Sequence, residues 1–248
     1  MQAEFSRWSP PPKSLSLSAS EVHVWRIVLE QPHRERNFLD TLSLDERSRA
    51  NRFHFARDRR HFIVARGFLR LVVSRYLETD AEQLRFCYGA YGKPALDGVH
   101  RNSRLRFNMS HSRGVGLYAI THAREIGVDV EHIRADFASE EIARHFFSPF
   151  EADTLCALPP QERVPAFFRC WTRKEAYIKA TGRGLSQPLD GFDVTLALGE
   201  PAALLRTDED SEDFARWFLY DLPVGNHYSA ALAVEGPTPN IRCWQGLP

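Results

Sequence analysis

The stretch IGVDVEHI, Ile126–Ile133, decides how the 248-residue chain divides. Its β-branched residues read as a strand, and successive side chains of a strand point to opposite faces. Asp129 and Glu131 therefore share one side, while Val128 and Val130 face a core. Two neighbouring carboxylates repel each other unless a positive charge lies between them. A hard divalent cation with oxygen ligands suits that arrangement. Two solvated acids on the open face of a half-exposed strand would leave the same pattern, and the spacing alone does not choose.

Upstream, residues 1–20 are rich in Ser and Pro and read as an irregular arm. EVHVWRIVL (21–29) has the character of a strand. SLDERSRANRF, from Ser43, reads as a helix, with Ser43 and Glu46 in capping-box spacing. A longer helix follows in DRRHFIVARGFLRLVVSRYL (58–77), where Phe62, Ala65, Leu69 and Val72 recur at helical intervals. LRFCY, LRFNMS and GVGLYAI are short strands. Downstream of IGVDVEHI the order recurs loosely. Helices are predicted in ASEEIARHFF, SPFEADTLCAL and PQERVPAFFRCWTRKEAYIKA, then strands in GFDVTLAL, RWFLYDL and YSAALAV. The fold class is thus α+β, with one unit duplicated and small sheets. The expected halves are 1–122 and 123–248, with a seam near Thr121–Glu125 and a cleft between them. Such interfaces are where small-molecule sites tend to lie.

Composition narrows the function. Hydrophobic residues make up 43%, and 32 Lys plus Arg balance 32 Asp plus Glu. No global field draws the chain to nucleic acid or to an anionic membrane, so any anion site must be local. The four cysteines are scattered without a C-x-x-C pair, as expected of reduced thiols in a cytoplasmic protein. No run approaches the ~18 apolar residues of a membrane span.

Four motifs carry chemistry. In CWTRKEAYIKATGRGL (170–185), Glu175 and Lys179 are four apart on one helical face, beside Lys174. They read either as a surface ion pair or as a carboxylate presented to a substrate. FNMSHSRG places Ser110 and His111 at the end of a strand. Adjacent residues of a strand diverge, so a Ser–His nucleophile pair is disfavoured and anion binding fits better; a turn-capping serine with a satisfied histidine stays open. YGKP sets Lys93 on a stiffened loop, either as an ordinary exposed lysine or as a pocket lysine. The first-half helices carry Arg47, Arg49, Arg52, Arg57, Arg59 and Arg60, a cationic patch or a solvated face.

Together, Y-G-K-P, F-N-x-S-H-S, G-V-D-V-E and W-T-x-K-E-x-x-x-K, in this order, resemble the 4′-phosphopantetheinyl transferases, specifically the large monomeric class whose type member activates surfactin synthetase. The resemblance runs from about Ser43 to Asp193. It implies pseudo-symmetric α+β halves with coenzyme A and Mg²⁺ in the cleft between them. It also implies that Asp129, Glu131 and Glu175 hold the metal, and that Glu175 and Lys179 are catalytic. Lys93, Ser110, His111 and Lys174 are then expected at the coenzyme, with Arg49, Arg60 or Arg66 at its 3′-phosphate. Two positions depart from the family pattern: Glu46 stands where a basic residue is common, and His61 where arginine is.

The implied reaction moves the phosphopantetheine arm to a serine of an apo acyl or peptidyl carrier protein. That carrier is expected to dock beside HIRADFASEEIARHFFSPFE, with Arg134, Phe137, Arg144, Phe146 and Phe147 as contacts or core anchors. Two other readings compete. A Mg²⁺-dependent nuclease often places a lysine two residues after its second strand carboxylate, where this chain has Ile133, and the neutral charge argues against nucleic acid. A non-catalytic carrier-binding module is disfavoured by the intact carboxylates.

Overall fold

The computed structural model describes residues 8–208 and 213–247. Strand β1 (Glu21–Val28) leads into α1 (Glu35–Thr41), α2 (Leu44–Ala50) and the 22-residue α3 (Ala56–Leu77). A ribbon, β2 (Arg85–Tyr88) and β3 (Pro94–Asp97), and a hairpin, β4 (Leu105–Ser112) and β5 (Val115–His122), complete the first set. The second set keeps that order. Strand β6 (Ile126–His132) is followed by α4 (Glu140–Phe146), α5 (Pro149–Ala157) and the 22-residue α6 (Pro160–Thr181). Then come the ribbon β7 (Phe192–Val194) and β8 (Leu204–Thr207) and the hairpin β9 (Trp217–Asp221) and β10 (Tyr228–Glu235). The sheet orders β1-β5-β4 and β6-β10-β9 correspond strand for strand, so the duplication expected from element order is visible in the topology.

A final strand, β11 (Asn240–Gln245), crosses back and pairs parallel with β1. The expected division at 122/123 therefore needs correction: this part of the second half completes the sheet of the first. The cause is packing. Ile241 and Cys243 are buried while Asn240 and Arg242 are exposed, so the strand has an apolar face to hide.

The two sheets face each other. Val22, Val24, Leu117 and Ala119 from the first meet Val128, Val130, Leu232 and Val234 from the second in one buried cluster. Helix α3 covers the outer face of the first sheet, packing Phe68 and Leu69 among Trp25, Tyr118 and Ile120. Helix α6 covers the outer face of the second, packing Phe167, Ala176 and Tyr177 near Ala231 and Ala233. Local signals start the helices as read: Ser43 with Glu46, and Ser148 with Glu151, form capping boxes at α2 and α5. Helix α6 stops at Gly182, whose φ of 71° is a left-handed value that glycine adopts freely. No described helix is long and apolar enough to cross a membrane.

Candidate active site in the cleft between the halves

Helix α6 lies unusually close to β6. A Cβ on Gly127 would fall 2.0 Å from the Ala176 carbonyl oxygen and 2.4 Å from the Ala180 nitrogen, so only glycine lets the two backbones meet there. Because Gly127, Asp129 and Glu131 alternate along one face, this contact places Asp129 beneath the α6 turn that carries Glu175 and Lys179. Lys179 Nζ donates to Asp129 Oδ1 at 2.5 Å and to Ser110 Oγ at 3.1 Å. Asp129 is 2% exposed, which rules out the solvated-acid reading for that residue.

Strand β4 of the first half is stitched to β6 by every second residue of its FNMSHS motif. Asn108 Oδ1 accepts from the Val128 amide at 3.0 Å. Ser110 Oγ donates to Asp129 Oδ1 at 2.8 Å, and Ser112 Oγ donates to Glu131 Oε2 at 2.8 Å. Ser110 thus holds a carboxylate at the seam, a correction to its expected place against the coenzyme. His111, its strand neighbour, points the other way and lines the cleft. Lys93 bridges the halves too, donating to the Ala180 carbonyl at 3.0 Å, the Ile126 carbonyl at 3.3 Å and Glu125 Oε2 at 3.2 Å.

The cleft is a cavity of about 540 Å³. Its first-half wall includes Arg49, Phe62, Arg66, Tyr88, Lys93 and His111; the facing wall, from α6 and its C-terminus, brings Glu175, Ile178, Lys179 and Gly184. Four cations and a histidine against one carboxylate in an otherwise neutral protein favour an anionic, phosphate-bearing occupant. Burial, more than the Asp129 charge, pushes the Glu175 carboxyl above its ordinary value, and Lys179 partly offsets this. Burial and the adjacent Asp129 likewise raise Glu131. Burial lowers the Lys93 ammonium. Burial and Lys179 lower the His111 imidazole. For Lys179 burial pulls down, but Asp129, Glu175 and Glu131 together outweigh it and leave the ammonium raised.

Asp129, Glu131 and Glu175 supply the hard oxygen donors a divalent cation takes. Asp129 Oδ2 is buried without a partner, an acceptor left open beside its neighbours. Among the described residues no three acids, histidines or cysteines are already grouped to hold a metal ion, so it is the chemistry of the donors and the open Asp129 oxygen, not a ready-made cluster, that suits a cation. The donor set fits the group.

Two expected coenzyme contacts lie elsewhere. Lys174 is fully buried, its ammonium 2.7 Å from Glu151 Oε2 and donating to the carbonyls of Leu189 and Phe192. Glu151 also accepts from the Val194 amide at 2.7 Å, so the pair ties α5, α6 and β7 together inside the second core. A one-residue step along α6 turns the side chain by about 100°, away from the cleft. Arg60 pairs with Glu35 at 3.5 Å and is absent from the cavity wall. Phe147 is a 2%-exposed core anchor, whereas Phe146 is 38% exposed at the surface. Arg134 lies over the Phe137 ring, which packs edge-on against Trp171. Tyr88, Tyr91 and Asn108 line the cleft without having been singled out from sequence; for Asn108 the signal was its alternation with Ser110 and Ser112.

A buried acid–lysine pair facing a cationic wall across two joined α+β units defines an enzyme acting on a phosphorylated substrate. Comparison with known proteins specifies it. Residues 125–233 match the model of the 4′-phosphopantetheinyl transferase superfamily, and residues 30–124 match that of the 4′-phosphopantetheinyl transferase N-terminal region. The chain is 40% identical over 230 residues to the 4′-phosphopantetheinyl transferase HetI of Nostoc sp., covering 92% of this chain and 94% of that one. It is 32% identical over 193 residues to the 4′-phosphopantetheinyl transferase Sfp of Bacillus subtilis, covering 78% and 83%. The chain belongs to the 4′-phosphopantetheinyl transferase family and is an enzyme of that class.

Proposed function

We infer that the protein transfers the 4′-phosphopantetheine arm of coenzyme A to a serine hydroxyl of an apo acyl or peptidyl carrier protein, releasing adenosine 3′,5′-bisphosphate. The observation that carries this reading is the single cavity with Glu175 and Lys179 on one wall and Arg49, Arg66, Lys93 and His111 on the other. Coenzyme A is a polyanion, and the cations hold its phosphates. Magnesium, held by Asp129, Glu131 and Glu175, would offset charge on the pyrophosphate.

The chain's own residues do the rest. The carrier serine oxygen bonds to the β-phosphorus, and the bond from that phosphorus to the bridging oxygen breaks. Glu175, whose raised proton affinity suits a base, takes the serine proton. Lys179 and Lys93 lie where charge gathers on the phosphates, and the fixed walls hold donor and acceptor in line. Both walls come from one polypeptide, which supports action as a monomer. The cysteines are free thiols, which suits the cytoplasm.

The carrier reaches the phosphates past the connection after β6. There Arg134 lies over Phe137, and Phe137 and the exposed Phe146 both pack edge-on against Trp171, giving cationic and apolar partners for an acidic carrier with an apolar patch. Incubating the enzyme with coenzyme A, Mg²⁺ and fatty-acid, polyketide and peptide apo-carriers tests the reading by mass spectrometry. At least one carrier should gain one phosphopantetheine, and Arg134→Ala with Phe137→Ala should raise the carrier KM at saturating coenzyme A. A folded enzyme that modifies no carrier would overturn the transfer reading. An unchanged carrier KM would move the docking face elsewhere.

A further inference from the structure

Glu46 does more than cap α2. It is 2% exposed, although it lies on a short helix whose neighbours are polar. Its Oε2 accepts from the Ser43 amide at 3.1 Å and from Arg70 Nε at 2.6 Å, and its Oε1 lies 3.2 Å from Arg66 Nε. Arg70 is spent inside the protein, its Nη1 donating to the carbonyls of Ala81 and Leu84, each at 2.9 Å. Arg66 is not. Its Nε meets Glu46, its Nη2 donates to Tyr88 Oη at 2.6 Å, and its Nη1 has no partner. The guanidinium lies against the rings of Phe86 and Tyr88, 5.6 and 5.4 Å from their centroids, and Arg66 forms part of the cavity wall.

We propose that Glu46, with Tyr88, is a positioning residue that fixes Arg66 for the phosphate of coenzyme A remote from the reacting centre. The proposal rests on the cleft being the coenzyme A site. A planar guanidinium binds phosphate well only when its orientation is set, and a bare buried donor is costly to leave unmet. Glu46 fixes one edge of the plane and Tyr88 another, leaving Nη1 as the free corner. Glu175 and Lys179 stand on the α6 wall where the pyrophosphate reacts, whereas Arg66, on α3, stands on the first-half wall with Arg49 of α2. Coenzyme A carries one other phosphate, the 3′-phosphate of its ribose, and that is the group assigned to Arg66. The acid at 46 therefore does not weaken a cationic site; it orients one.

Glu46→Gln separates orientation from charge, because glutamine keeps the capping-box acceptor. If Glu46 acted only by cancelling charge, its removal would tighten anion binding. If it positions Arg66, binding weakens. Calorimetry would compare coenzyme A with 3′-dephospho-coenzyme A on the full-length protein. Wild type should prefer coenzyme A. Glu46→Gln should lose roughly tenfold for coenzyme A and little for the dephospho form, with KM raised and kcat kept. In an Arg66→Gln background, Glu46→Gln should add almost nothing. Tyr88→Phe, at a partly exposed site, should show a smaller loss of the same kind and serves if Glu46→Gln does not fold. Tighter binding, unchanged discrimination, equal losses for both nucleotides or additive losses in the double variant would each overturn the proposal. A wild type that binds neither nucleotide would instead refute the reading of the cleft.

Discussion

Lys174 and Glu175 are neighbours with opposite fates. The sequence shows both on a charged amphipathic helix, and family resemblance assigns Glu175 to the metal and to catalysis and Lys174 to the coenzyme. Only the packing of α6 against β6 and β7 decides that Glu175 faces the cleft while Lys174 pairs with Glu151 in the core. Side-chain pattern alone could not separate them, because the charge on Lys174 is buried against Glu151, a partner from a different helix. Ser110 is a similar case: a hydroxyl beside histidine looks like an anion ligand until its acceptor, Asp129, is seen. Asp129 and Glu131 were more legible, since strand alternation fixes their common face. Glu175 also carries a prediction. Its carboxyl is raised by burial and by Asp129 and lowered by Lys179. A base must be deprotonated to act, so activity should fall as pH drops through a value above 4.5, the ordinary value for Glu. Lys179→Met removes the lowering charge, so this acid limb should move to higher pH. The coupled carboxylates titrate together, so the limb belongs to the group. A pH profile of kcat for both proteins checks it; a limb that stays put or moves down counts against Glu175 as base.

The element scale turns on the contact of α6 with β6. Helix boundaries were readable from capping boxes and apolar periodicity, and strands from alternation. Short elements were not: α1, β3, β8 and β11 gave too few residues for a period to stand out, and β11 owes its place to Ile241 and Cys243 meeting the far half. Gly127 was readable only as a residue of a motif, not as the point where two backbones touch. Gly127→Ala must push α6 away from β6, because a methyl 2.0 Å from a backbone oxygen cannot be relieved by rotating a side chain. Overpacking of this kind costs about 1–3 kcal/mol. The expected result is a melting temperature several degrees lower, with turnover reduced well beyond what the remaining folded fraction explains, since Glu175 and Lys179 ride on the displaced helix. Wild-type stability and turnover together would show that the close approach does not set the site.

At the scale of the whole molecule, the two halves are held at several places besides the Lys93 bridge. Their sheets share an apolar interface, β4 is bonded to β6 through Asn108, Ser110 and Ser112, and β11 returns to the first sheet. The duplication was legible because element order survives when residue identity does not. The strand exchange was not, because pairing between distant segments leaves little local trace. In the proposed reading the cleft so formed divides its labour: cations of the first half would hold the nucleotide, and acids of the second would run the transfer. Asp129→Ala tests that division most directly, with calorimetry of coenzyme A binding and mass-spectrometric turnover on the same folded protein in Mg²⁺. The expected result is coenzyme A binding that remains measurable while transfer to the carrier is abolished. An Asp129→Ala enzyme that turns over at near wild-type rate would contradict the account.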